Sequence, residues 1–204
     1  RDVLGENAEV EIGHSLRGNL YCELRKPQQI PDTALLAQIE TRMQEYVAAD
    51  TPIIKHVCPR DVAISIVEEQ GMADKAELFR YRTASNINLY ELDGFYDYFF
   101  GYMPASVGAL EWFALMKFET GFLVRFPDPA QKGQLLPKEQ PQKISKVFLE
   151  QMRWCQLMQV RNVAELNHTL VEGRFGDLIR INEALHEKKI AEIADQIHHR
   201  MDQV

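Results

Sequence analysis

The sequence predicts an α+β fold: an antiparallel sheet with helices on one face, followed by a mostly helical C-terminal extension. Three observations carry that prediction. Short alternating or apolar runs, bounded by turn residues, come in adjacent pairs, the mark of antiparallel hairpins. Helical periodicity interrupts these runs between residues 31 and 81. After the proline-rich stretch Pro127–Lys143 the strand signals fade and amphipathic helical stripes take over.

The first pair of strands is AEVEIG (Ala8–Gly13) and NLYCEL (Asn19–Leu24), with HSLRG as the hairpin connection. A helix follows over PDTALLAQIETRMQEYVAAD. Asp32 or Thr33 can cap it, Pro31 precedes it, and Leu35, Leu36, Ile39, Met43 and Val47 recur at helical spacing. TPIIKHVC reads as a strand of mixed faces. PRDVAISIVEEQG reads as a helix with Pro59 near its start and Gly71 at its end, and MADKAELFRY as a second, shorter one. NINLYELDG is a further strand and leads into the aromatic stretch DYFFGYMPASVG (Asp97–Gly108). LEWFALMKFETGFLVRFPD reads as two apolar strands joined at Glu119-Thr120-Gly121.

Pro127–Lys143 holds four prolines and reads as a linker or surface excursion. Beyond it, KISKVFLEQMRWCQLMQ places Ile144, Val147, Phe148, Met152 and Cys155 on one helical face. NVAELNHTLVEGR is a short helix and GDLIRI a strand. NEALHEKKIAEIADQIHHRMDQV is a long helix capped by Asn182, with Leu185, Ile190, Ile193, Ile197 and Met201 as its stripe. The expected organisation is an α+β domain over 1–126, a linker over 127–143 and a helical segment over 144–204.

Bulk composition narrows the function. The 204 residues carry 23 Lys plus Arg against 30 Asp plus Glu, a net charge of −7. That sign argues against a broad nucleic-acid groove and gives no reason to expect DNA as a partner. Cys22, Cys58 and Cys155 are odd in number and far apart, which predicts free thiols in a reducing, cytoplasmic compartment. No run of about 18 apolar residues is present, so no membrane partner is expected. The chain opens without Met, and DVLG reads as the last turn of a longer helix, so an excised fragment is expected.

Motifs for chemistry are sparse. The sequence contains no Walker A loop, GxGxxG, HExxH or GxSxG, and no catalytic residue is assigned. His56 and Cys58 alternate on one strand, and His14 and Cys22 lie on the preceding hairpin. Four such ligands suit Zn, but their spacing matches no zinc motif, so no metal site is assigned. His198-His199 reads as a solvated cluster at a helix end, and Asp93 and Asp97 as acids beside a turn. Phe95, Tyr96, Tyr98, Phe99, Phe100 and Tyr102 have two readings, as packing or as stacking platforms for a base.

Two segments carry a resemblance. IGHSLRGNLYCEL, with IETRMQEYVAADTPIIKHVCPRDVAISIVEEQG after it, resembles the second additional domain of threonyl-tRNA synthetases, and FALMKFETGFLVRF resembles that domain's late hairpin. HSLRGNLYCEL, DGFYDYFFGYMPASVG and NEALHEKKIAEIADQI also resemble bacterial nucleoside (uridine) kinase-like proteins. Those proteins fuse a TGS domain and a synthetase-like domain in front of a phosphoribulokinase/uridine kinase-type P-loop domain. This resemblance implies that the chain is the non-catalytic part before the P-loop. The C-terminal kinase domain of the same polypeptide would be its partner, with a second copy of the chain as a further one. ATP and Mg would be cofactors of that kinase domain and not of this chain.

The synthetase editing site uses an HxxxH pair and a CxxxH pair. Anchoring on FALM places the latter at Phe99 and Met103, which removes a thiolate and an imidazole, so the resemblance does not extend to editing hydrolysis. A synthetase-derived cleft that still held a nucleoside, nucleotide or tRNA end would be gripped by Tyr98, Tyr102, Arg125 and the turn residues His14 and Arg17.

Overall fold

The structure is a computed structural model and describes residues 1–136 and 142–201. It divides into two compact units, Arg1–Ser145 and Lys146–Val204. Its class is α+β with antiparallel sheets and a helical C-terminal part, as the sequence predicts.

In the first unit, β1 (Glu9–Leu16) and β2 (Asn19–Lys26) form a hairpin closed by Arg17 and Gly18. Both turn residues are left-handed, at φ 48° and 83°, which is the backbone a two-residue type I′ turn requires. Two strands from much later in the chain, β6 (Ala114–Phe118) and β7 (Gly121–Arg125), complete this sheet in the order β1-β2-β7-β6. One helix, α1 (Thr33–Ala48), packs Leu36 against Cys22, Leu24 and Phe122 on one face of it. Of the two expected caps, Asp32 is the one used: its carboxylate accepts the Leu35 N–H at 2.7 Å. Glu40, about two turns further along, accepts the Leu115 N–H at 2.6 Å and ties α1 to the β6 strand.

A second antiparallel sheet runs β3 (Ile54–Pro59), β4 (Asn86–Leu92), β5 (Phe95–Tyr98). The helices α2 (Arg60–Glu69) and α3 (Ala73–Arg80) bury Ala63, Val67, Ala76 and Phe79 against Ile87 and Leu89. The first seven strands therefore fall into two sheets, each with helical cover on a face. Within the stretch read as a linker, β8 (Pro127–Asp128) and β9 (Gln131–Leu135) pair as a ribbon, and residues 137–141 lie outside the described residues.

The helices of the C-terminal part are α4 (Gln142–Leu157), α5 (Val163–Val171) and α6 (Phe175–Met201). Two expectations are corrected here. GDLIRI is not a strand but the opening of α6, and Asn182 is not its cap but lies inside it. Three aliphatic residues in six look strand-like. The longer window decides otherwise, because Leu178 and Leu185 repeat at seven residues and share one helix face. Asn162 does act as a cap, for α5, accepting the Glu165 N–H at 2.9 Å.

Burial on the β2 strand has a measurable consequence. The Cys22 thiol is 2% exposed, and burial pushes its pKa up to about 11. Burial also raises the neighbouring Tyr21 phenol, helped by its 2.6 Å hydrogen bond to Glu23. Both groups keep their protons in the fold beyond the pH at which an unfolded chain loses them. The Cys22 contribution is complete below the unfolded thiol value of 9.0 and is lost as pH rises toward about 11, while that of Tyr21 is complete below the unfolded phenol value of 10.0 and is lost above it. The urea midpoint is expected to fall between those pH values, and a Cys22→Ala variant to fall less steeply.

Candidate functional site

Tyr98 closes β5, half-buried. Its ring packs edge-on against Phe79, centroids 5.4 Å apart, and its hydroxyl accepts a hydrogen bond from Arg82. The Arg82 guanidinium also lies 5.0 Å from the Tyr98 ring centroid. One residue earlier, Asp97 pairs with Lys75 of α3 and accepts the Tyr98 N–H at 2.6 Å. Tyr98 is thus fixed at the fringe of the α2–α3 core.

The aromatic loop that follows is held at both ends and open at its tip. Phe99 meets Tyr90 edge-on at 6.4 Å, and the Tyr90 hydroxyl donates to the Gly101 carbonyl at 3.2 Å. On the far side, Ile53 N–H donates to Ala105 O, Val107 N–H to Thr51 O, and Gly108 N–H to the Asp50 carboxylate. Between these anchors Gly101 takes φ 111°, and Phe100 and Tyr102 stand in solvent, 93% and 105% exposed. Met103 is half-buried.

The remaining candidates belong to the first sheet. Arg125, on β7, is 7% exposed. Strand register sets it beside Asn19, whose side-chain oxygen accepts the Phe126 N–H at 3.2 Å. Arg125 donates to the Leu136 carbonyl, while its buried Nε meets no acceptor among the described residues. Arg17 is exposed at the hairpin turn. His14 is half-buried with its ring 5.2 Å from Tyr21, and burial lowers its pKa. The fold therefore gathers Arg125 and the Arg17 turn at one end of the first sheet, and Tyr98 and Tyr102 at the end of the second.

The two His–Cys pairs also fall on different sheets. His14 and Cys22 lie on the β1–β2 hairpin, while His56 and Cys58 share a face of β3. His56 Nε2 sits 2.7 Å from Glu91, and the His56 and Tyr96 ring centroids are 5.5 Å apart. Among the described residues, no group of three or more His, Cys, Asp or Glu side chains is placed to hold a metal ion.

Other polar clusters were not legible in the sequence. Asp2 accepts from Arg42 at 2.7 Å, and that bond leads the causes that hold its carboxyl below the usual range. The Tyr46 hydroxyl lies 2.9 Å from both Asp2 and Asp93. Gln70 grips the β5 backbone twice, donating to Tyr96 O at 2.7 Å and accepting Tyr96 N–H at 2.8 Å. These partners are tens of residues apart, and no local pattern announces them. A small cavity of about 210 Å³ lies between α1 and the first sheet, lined by Met43, Leu110, Trp112, Phe113, Val124 and Phe126. No helix among the described residues is long and apolar enough to cross a membrane.

With two helix-covered antiparallel sheets, the class is an α+β module. Comparison with known proteins is more specific: the chain carries a threonyl-tRNA synthetase-like region. It is 35% identical over 114 residues to the threonine–tRNA ligase of Acidovorax sp. (strain JS42), 54% of this chain and 17% of that protein. It is 34% identical over 113 residues to that of Leptothrix cholodnii, with the same coverage of 54% and 17%. The Methylobacillus flagellatus enzyme is 35% identical over 114 residues, 54% of this chain and 18% of its own length. The match thus spans less than a fifth of these relatives. No protein-family model matches the chain.

Proposed function

We propose that this chain is a non-catalytic, synthetase-derived region of a cytoplasmic nucleoside (uridine) kinase-like protein, where it positions, regulates or assembles an ATP-dependent kinase domain. The observation that carries the non-catalytic half is the loop after β5. Where the synthetase resemblance calls for Cys and His, the chain has Phe99 and Met103, and neither side chain is a zinc ligand or moves a proton. Around them the loop is packed by Tyr90 and pinned by backbone hydrogen bonds, so the replacement is built into the fold. The kinase half rests on the resemblance of HSLRGNLYCEL, DGFYDYFFGYMPASVG and NEALHEKKIAEIADQI to that family, and on the lack of any phosphate-binding loop motif in the 204 residues. ATP and Mg would act in the partner domain. The test is to titrate the isolated chain with ATP·Mg and assay it with uridine. Neither binding heat nor UMP is expected, and turnover by the chain alone sinks the proposal.

One observation favours a second reading, a module that binds a nucleoside, nucleotide or tRNA end. Phe100 and Tyr102 are presented to solvent from an anchored loop, the arrangement a stacking platform needs. Calorimetry with uridine, UMP and tRNA decides it. Binding weakened tenfold or more by a Phe100→Ala/Tyr102→Ala double substitution, about 1–3 kcal/mol per stacked base, establishes this reading. Absence of heat for all three ligands removes it.

A further inference from the structure

Of the 27 residues of α6, none is buried. The helix nevertheless carries two Leu, five Ile, a Phe and a Met. Leu178, Leu185 and Lys189 are half-buried on one side, where Lys189 reaches Glu150 of α4 at 2.5 Å. A second stripe faces solvent, with Ile190 at 54%, Ile193 at 47%, Ile197 at 55% and Met201 at 71% exposure. An apolar stripe of this kind on a charged helix marks an interaction surface.

The spacing of that stripe identifies its partner. Ile190, Ile193 and Ile197 stand at three- and four-residue intervals, and continuing the same heptad in both directions gives Glu183, His186 and Arg200. The seam therefore reads Glu183, His186, Ile190, Ile193, Ile197, Arg200. Laid against a reversed copy of itself, it is self-complementary: Ile190 meets Ile193, His186 meets Ile197, and Glu183 meets Arg200, each pair twice by symmetry. A parallel copy would instead stack Glu183 on Glu183 and Arg200 on Arg200, two like-charge contacts at the ends. On the flank away from α4 the antiparallel register raises no conflict, with Glu187 facing Ala194.

We infer that α6 is a homodimerisation helix, pairing antiparallel with α6 of a second copy of this chain through an isoleucine seam closed at each end by a Glu183–Arg200 ion pair. This is independent of the kinase reading, since it uses only residues of α6. Two-fold pairing of one patch with itself is the usual geometry of homodimers. The seam is short, so the dimer belongs at the weak, reversible end of interfaces, below about 1,200 Å².

Sedimentation velocity on the full 204-residue chain, between about 5 and 200 µM, is the test. The mass is expected to rise from 23.6 kDa toward twice that value. An Ile193→Glu chain should remain at 23.6 kDa with unchanged circular dichroism, because the side chain is not part of a core. Glu183→Arg or Arg200→Glu alone should raise the dissociation constant about tenfold or more, and the two together should bring it back to within about threefold of the parent. A monomer at every concentration overturns the inference. So does association that survives Ile193→Glu, or a double charge reversal that restores nothing.

Discussion

Phe79→Ala is expected to lower the stability of the first unit by about 3–5 kcal/mol. Phe79 is fully buried between α3 and the second sheet, among Ala63, Val67, Ala76, Ile87 and Leu89. Truncating it removes the transfer free energy of a phenyl ring and leaves a void that these small and branched neighbours cannot close. The loss also reaches the candidate site. Phe79 is the ring against which Tyr98 rests, so Tyr98 and the Arg82 contact on it lose their support. Urea denaturation followed by far-ultraviolet circular dichroism measures the effect. Phe100→Ala is the control: the same substitution at a 93% exposed position should change stability by less than about 0.5 kcal/mol. Similar losses for the two would contradict this packing.

Gly121→Val is the second large expectation, through overpacking rather than a cavity. Gly121 opens β7 against β2. A β-carbon there would stand 2.1 Å from the Cys22 carbonyl oxygen and 3.0 Å from the Tyr21 ring. The nearest obstacle is backbone in a paired strand, so the side chain cannot be accommodated by a rotamer change. The β2–β7 pairing must open, and this pairing joins the early hairpin to the late one. A loss of about 3 kcal/mol or more is expected. Gly121→Ala should show much of it, since the β-carbon alone makes the clash. Hydrogen exchange at the β2 and β7 amides locates the damage: faster exchange in those strands is predicted, with β3 and β4 little changed.

Both positions show where sequence reading stops. The hairpin turns and the cap of α1 were legible because their signals are local, whereas Asn182, expected to cap the last helix, lies inside α6. Arg17-Gly18 and Asp93-Gly94 need left-handed backbone, and Asp32 needs only its neighbours to cap α1. The helix and strand pairs follow from periodicity in the same way. Division of the strands into two sheets was not legible, because it depends on Cys22 pairing with Phe122, a hundred residues away, and no local pattern encodes such a partner. The GDLIRI segment failed for a related reason: its strand-like composition is overruled by a helical repeat longer than the segment. For the site, the sequence singled out the aromatic stretch but could not sort it. Tyr98 turns out to be supported by the core, while Phe100 and Tyr102 are solvent-facing. The difference comes from the Tyr90–Gly101 hydrogen bond and the Ala105–Val107 anchors, which no composition reveals.

As proposed above, the chain would contribute structure, and not chemistry, to a nucleoside kinase-like polypeptide. Uridine phosphorylation assayed in parallel on the intact gene product and on the 204-residue chain tests it most directly. UMP from the intact product, at the roughly 1–100 s⁻¹ usual for kinases, and none from the chain is the predicted result. UMP from the chain alone, or none from the intact product with any nucleoside, would contradict it.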